Sequence, residues 1–541
     1  KHKQDQLQAL QKVNPAVSIP QALDIKHYKL NISLVPETSG ISGTVDIIGE
    51  TLQSVNSIKV NVLNNLTVKS LKFNGMTKTF RREGERISLD FDNPLDAKTQ
   101  FTITVDYQGS AAVVGRIGGG MLVSNHQGAL SMASLSEPFA APSWWPCIDD
   151  PADKTTVEMA VTVPAGYEEV SNGVLVKTES NPNGSKTFFW REDYPISNYL
   201  VSVATTNYSK FQDTYTTLDG ATVPLFYYVY PEHLDGAKRK FAVTPQAMNI
   251  YAKLFGEYPF VNEKYGMAEF PWGGAMEHQT MTSMGQGIVG GSSSGTLVTV
   301  HELAHQWWGD LVTLSSWHDI WLNEGFATYS EVLFLEKGLL MNPGKTMTQY
   351  YDDGQPFGDL GGTVYADDAD PFGDIGAVYD KGAWVLHMLR HVMGDNSFFD
   401  ALKDYRTQYA YSNASTDKFR QVCEAHYGKS LKAFFDQWVM APSRPIYKVS
   451  TRISNNPGAD GKYQVIVSVR QKQNITIPNR TPDMKNVFVM PIDLTFHFAN
   501  GRQETQTVVN DSRKQMFIFS LSEAPTNIGF DEGNWLLKAM Q

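Results

Sequence analysis

The sequence predicts a multidomain α+β chain, with an N-terminal antiparallel β domain, a helix-rich centre and a C-terminal β-sandwich. Three observations carry that prediction. At 541 residues the chain is too long for one ordinary hydrophobic core, so several domains are expected. Up to about residue 211, short alternating stretches such as "SGTVDIIGETL", "SIKVNVLN", "FTITVDY" and "VEMAVTV" recur between Gly, Asn, Asp and Pro clusters, the pattern of half-buried strands. The apolar period then lengthens to three or four residues until Pro442 and Pro445, after which alternation returns.

Taken in order, residues 1–20 are polar and carry Pro15 and Pro20, which predicts a loosely held leading segment on a first domain spanning 1–211. The central block, 212–444, contains "AVTPQAMNIYAKLFGEY", "LVTVHELAHQWWGDLV", "IWLNEGFATYSEVLFLEKGL", "GAWVLHMLRHVM" and "SLKAFFDQWVM", each with the apolar spacing of a helix. "YKVSTRIS", "YQVIVSVRQ", "FVMPIDLTFHF" and "RKQMFIFSL" make the sandwich over 445–541. Two loops invite chemistry and lack it. "GQGIVGGSSSG" (285–295) has no Gly-Lys-Ser/Thr ending and reads as a flexible connection rather than a phosphate cradle. The stretch 352–378 repeats "PFGDLG" as "PFGDIG" and carries Asp367, Asp368 and Asp370. It lacks the twelve-position spacing of a calcium loop and reads as a solvated connection.

A net charge of −11 argues against nucleic acid as a partner, whose binding footprint is basic. No apolar run approaches the roughly 18 residues of a membrane span. Two cysteines, Cys147 and Cys423, give no disulfide framework. The chain begins "KHKQDQLQAL" without methionine, which favours processing of a leader and a periplasmic or secreted location over a cytoplasmic one. A monomer is the expected state.

The chemistry centres on "HELAHQWWGD", residues 301–310. On a helix, positions i and i+4 share one face a turn apart, so His301 and His305 can offer two imidazole nitrogens to one cation. Glu302 lies beside them and can reach a water on the same ion. Zinc held by two histidines needs one more protein donor if a position is to stay open for water. Glu324, in "WLNEGFATY", comes nineteen residues after His305, about 28 Å away on a continuous helix. The chain must therefore reverse, and Gly309-Asp310 and Ser315-Ser316 provide the break. Glu331, one heptad after Glu324, shares its face and is expected to accept a histidine N–H from outside the metal's ligand set.

H-E-x-x-H, eighteen residues, then N-E-G-x-A resembles the signature of the gluzincin metallopeptidases of the aminopeptidase N family. So do "GGAMEH" (273–278), "VYDKGAWVL" (378–386), "SEPFAAPSWWPCIDDPADK" (136–154) and "FFDQWVMAPSRP" (434–445). The resemblance implies a thermolysin-like α/β catalytic domain over 212–444 and one Zn2+ per chain. It further implies zinc-dependent aminopeptidase activity on peptides with a free N-terminus. Glu302 would be the general base and Tyr379 the donor to the developing oxyanion. Glu277 and Glu137 would grip the α-ammonium, whose pKa of about 7.7–8.0 leaves it largely cationic near neutrality. Gly274 and Ala275 lack bulk, so the backbone there could pair with the substrate as an added strand; Trp272, Gly273 and Met276 would help shape the side-chain pocket.

Two departures from the family pattern stand out. His278 replaces the asparagine that usually ends the "GAME" motif, and it can titrate near neutral pH. No long helical array follows the sandwich, which implies a more open site or closure by another subunit. Two other readings remain at this point: epoxide hydrolysis, found in one branch of the fold family, and a silent peptide-binding scaffold. Retention of His301, Glu302, His305, Glu324 and Tyr379 weighs against the scaffold.

Overall fold

The computed structural model describes residues 22–292, 295–339, 341–352, 360–482 and 484–541; the leading segment 1–20 and the first "PFGD" lie outside them. The chain forms two compact units, residues 1–316 with 409–414, and residues 317–408 with 415–541.

The first unit opens with an eight-stranded sheet whose centre is Thr155–Val163, Leu23–Val35, Gly40–Thr51 and Gln100–Ser110. Strict alternation builds it: along Thr155–Val163 the residues Thr155, Val157, Met159, Val161 and Val163 are buried and those between are not, the period of a one-sided strand. The sheet departs from the antiparallel expectation at one pair. Leu23–Val35 and Thr155–Val163 run parallel, which the long connection between them permits.

A second sheet of this unit has the order Ser209–Thr216, Thr222–Val229, Tyr265–Phe270, Thr282–Gly285, Ala275–Met276. Its three central strands are parallel, and the helix Thr244–Phe255 makes the crossover between the first two of them. Ser209–Thr216 pairs along its whole length with Thr222–Val229 and so runs through residue 211. The short strand Ala275–Met276 pairs on one side only, antiparallel to Thr282–Gly285. It therefore forms the edge of the sheet.

In the second unit the helices Trp321–Leu339, Gly382–Met393, Asp395–Gln408, Thr416–Tyr427 and Lys432–Trp438 meet around Trp321, Phe326, Phe419 and Phe435, with ring centroids 5.1–6.5 Å apart. Of these, Asp395–Gln408 and Thr416–Tyr427 are helices that the sequence reading passes over. The sandwich follows as a four-stranded and a three-stranded sheet over a core of Val465, Val467, Val469, Ile492, Leu494 and Phe496. No helix among the described residues is long and apolar enough to cross a membrane.

Candidate metal and substrate site

The H-E-x-x-H helix runs Thr296–Ala304, ending one residue before His305 rather than continuing through 312. After Ala304 the chain tightens, with Gln306 N–H on the Leu303 carbonyl, and then widens. Asp310, Leu311 and Val312 donate to the carbonyls of His305, Gln306 and Trp307, each five residues back. That wide turn at Gly309, whose φ is 132°, begins the reversal expected from the sequence. The helix itself is anchored from beneath: Tyr251 donates to the Val300 carbonyl at 3.1 Å, and Trp307 packs edge-on against Tyr251, Phe255 and Tyr258.

His305 still keeps the helical turn, donating its N–H to the His301 carbonyl, so the two imidazoles sit one turn apart, edge to face, with ring centroids 4.8 Å apart. His305 Nδ1 lies 2.9 Å from the Trp308 carbonyl. A carbonyl only accepts, so Nδ1 carries the proton and Nε2 keeps its lone pair. That is the tautomer a metal-ligating histidine needs. Two imidazoles at this spacing fit a divalent ion of the zinc type. The sequence offered no sign that a main-chain carbonyl would orient this ring.

Around the pair the unit collects buried acids. Glu277, Glu302 and His305 each place one donor atom within 4.8 Å of the other two, and carboxylate oxygens of Glu137 and Glu277 lie within the same distance of each other. All four residues are buried. So is Asp310, whose carboxyl burial pushes well above its usual range, with the Glu277 charge adding to it. Carboxylates concentrated in a low-dielectric recess favour a cationic occupant.

The "GGAMEH" segment supplies the rest. Ala275 and Met276 form the edge strand described above, with an outer side suited to pairing with an extended peptide. Gly274 also has a steric reason for being glycine. A Cβ there would stand 2.5 Å from the Trp272 ring, and Trp272 is itself held by an Nε1–H bond to the Ile117 carbonyl at 3.2 Å. Gly273 is open, and a Cβ there would meet nothing within 4 Å. His278 requires a correction. Its ring is fully buried, Nδ1 lies 2.8 Å from Ser283 Oγ, and burial pushes its pKa down to about 3. It therefore stays neutral across the working range and does not titrate near pH 7.

The second unit carries the other predicted residues. Glu324 is buried in the first turn of Trp321–Leu339, where the helix dipole favours a carboxylate. Glu331 is also buried, which excludes a solvated surface position, and it hydrogen-bonds Tyr350, whose hydroxyl is raised by burial and by the Glu331 charge. Tyr379 sits in a π-helical turn, Gly376–Lys381, a rare geometry found frequently at functional sites. Its turn neighbours are buried while Tyr379 is partly exposed. Lys381 fastens the turn by donating to the Gly362 and Ala441 carbonyls at 2.8 and 2.9 Å. Gly325 and Gly382 face each other so closely that a Cβ on Gly325 would lie 3.0 Å from the Gly382 backbone. The helix bearing Glu324 and the turn bearing Tyr379 thus meet at bare main chain.

Comparison with known proteins identifies the family of the chain. Residues 239–438 match the Peptidase family M1 domain and residues 25–200 the Peptidase M1 N-terminal domain, and the chain belongs to peptidase family M1. Among curated relatives, Aminopeptidase M1 of Arabidopsis thaliana is 30% identical over 352 residues, covering 61% of this chain and 38% of that protein. Leucyl aminopeptidase of Saccharolobus solfataricus is 25% identical over 407 residues, covering 71% and 50%. The chain thus spans half or less of the length of these relatives. Among solved structures, an M1 zinc metallopeptidase variant of Deinococcus radiodurans bound to a Tyr-Ser-Ala substrate superposes with TM-score 0.67 at 25% identity, covering 77% of this chain and 94% of that one. Legionella pneumophila aminopeptidase A shares the fold, with TM-score 0.80 over 98% of this chain and 60% of that one at 17% identity.

Proposed function

We propose that this chain is a zinc-dependent aminopeptidase that hydrolyses the N-terminal peptide bond of peptides. The observation that carries the reading is the pairing of two histidines one helical turn apart, the second in the metal-ready tautomer, with buried Glu277, Glu302 and Glu137 beside them. A structural histidine pair has no use for three buried acids; a site for a divalent ion and an ammonium group does.

His301, His305 and Glu324 would hold one Zn2+, which would supply Lewis acidity toward a water and the scissile carbonyl when bound. Glu302 takes the proton of the attacking water and passes it to the departing amine. Glu277 and Glu137 accept hydrogen bonds from the α-ammonium, so only the first peptide bond reaches the reacting groups. The Ala275–Met276 edge pairs with the substrate backbone. Tyr379 donates its hydroxyl hydrogen bond to the oxygen that becomes negative. Glu331 has the role of accepting a histidine N–H from outside the metal's ligand set.

The test is hydrolysis of amino-acid p-nitroanilides, with and without a chelator, alongside N-acetylated counterparts. Free-amine substrates are expected to be cleaved, chelation to abolish cleavage and zinc to restore it. Equal cleavage of acetylated substrates would refute the amine grip; full activity without metal would refute the zinc site.

A further inference from the structure

Gln306 follows the second histidine and is completely buried. Its side chain spends both ends on one loop. Nε2 donates to the Glu277 carbonyl at 3.3 Å, and Oε1 accepts the Thr280 N–H at 3.0 Å. The loop between those two points needs holding. Thr280 has φ of 60°, a left-handed conformation that a β-branched residue adopts only when its surroundings impose it. The surroundings are specific. Thr280 Oγ1 accepts the Gly173 N–H at 2.8 Å and donates to Glu192 at 3.3 Å, and the Thr280 carbonyl accepts from Lys264 at 3.2 Å. Asn172 donates to the Gln279 carbonyl at 2.6 Å, and the Gln279 amide donates to Glu192 at 3.1 Å. One side of the loop is thus pinned to the β framework, and Gln306 pins the other side to the segment that carries His305.

We infer that Gln306 is a positioning residue that sets the Glu277 carboxylate at its distance from the metal-binding histidines, so that amine recognition and hydrolysis share one register. The observed separation, 3.9 Å between Glu277 Oε1 and His305 Nδ1, is the quantity the clamp fixes. A buried glutamine serving only its own segment would bond within that segment; this one bonds the amine loop at two points, on either side of His278 and Gln279. The inference rests on the reading of Glu277 as the amine-binding acid.

The experiment compares Gln306→Leu with wild type in the zinc-loaded protein, using leucine p-nitroanilide. Gln306→Leu is expected to raise KM about tenfold, the effect of one lost well-placed hydrogen bond, with kcat changed less and zinc content unchanged. The deciding readout is a double-mutant cycle: in a Glu277→Gln background, Gln306→Leu is expected to raise KM no further. An equal rise in both backgrounds, an unchanged KM, or loss of zinc would overturn the inference. Thr280→Gly gives a second route that leaves the histidine segment intact, because glycine adopts the same φ freely. It removes the hydroxyl anchors and is expected to raise KM about threefold, again only with Glu277 present; no change would overturn the inference even if Gln306→Leu does not fold. Cleavage of N-acetylated leucine p-nitroanilide by wild type as fast as the free form would instead refute the role of Glu277, and the clamp with it.

Discussion

Gly325→Ala tests how much the close meeting of main chains contributes. The added methyl would stand 3.0 Å from Gly382 Cα and C and 3.3 Å from the Val378 carbonyl oxygen. All three are backbone atoms, so no side chain can swing aside, and the helix Trp321–Leu339 must move off the turn by about 0.5 Å to reach ordinary contact. Two effects oppose each other in stability. Overpacking of this kind costs about 1–3 kcal/mol, while alanine gains about 1 kcal/mol over glycine inside a helix. The net loss is about 0–2 kcal/mol, a fall in Tm of a few degrees at most for a unit this large. Activity should suffer more, because the same movement separates Glu324 from Tyr379. Misplacement of about 1 Å in a reacting constellation can cost ~100-fold, so about tenfold in kcat is expected for half of that. Calorimetry and steady-state kinetics on the zinc-loaded variant, with Gly382→Ala as the reciprocal case, measure both. Wild-type kcat in Gly325→Ala would refute the idea that this contact sets the relative placement of the two residues.

Glu302→Gln should retain zinc by metal analysis and lose turnover by at least ~100-fold, the contribution of a general base; normal hydrolysis would remove Glu302 from that role. Tyr379→Phe should lower kcat by about 100-fold with KM nearly unchanged, as for loss of one oxyanion donor; an unaltered kcat would return Tyr379 to packing against Phe372. His278 gives a pH signature in stability. Its folded pKa of about 3 lies below the unfolded value near 6.5, so the unfolded chain binds the extra proton and stability falls as pH drops from about 6.5 toward 3. The contribution is about 2 kcal/mol at pH 5. His278→Asn should shrink the Tm difference between pH 7 and pH 5, and an unchanged difference would mean that the ring is charged in the folded protein.

Much of this was legible in the residues. The change from period two to period three or four and back marks the strand-rich, helical and sandwich stretches because burial of one face is a local, repeating demand. His301, Glu302 and His305 were legible for the same reason, since their spacing alone puts the two imidazoles on one face. Helices Asp395–Gln408 and Thr416–Tyr427 were harder to see amid many charges, although Phe398, Ala401, Leu402 and Tyr405 keep the helical spacing. Other features depend on partners far away in sequence. The Trp308 carbonyl, the clamp from Gln306 to Thr280, and the contact of Gly325 with Gly382 each have main chain as at least one partner, and the sequence does not name which stretch of main chain a side chain will meet. The burial that silences His278 likewise comes from the surrounding packing, which a six-residue motif does not report.

The orientation of His305 has an evolutionary corollary. Its ring is steered by a peptide oxygen, which every amino acid at position 308 supplies, so a point substitution there cannot delete the acceptor as it could an aspartate or glutamate. Indole lost from 308 would cost packing while the imidazole kept its proton on the correct nitrogen. The lineage can therefore vary this position and retain metal affinity, provided that the bend at Gly309 keeps the oxygen in place.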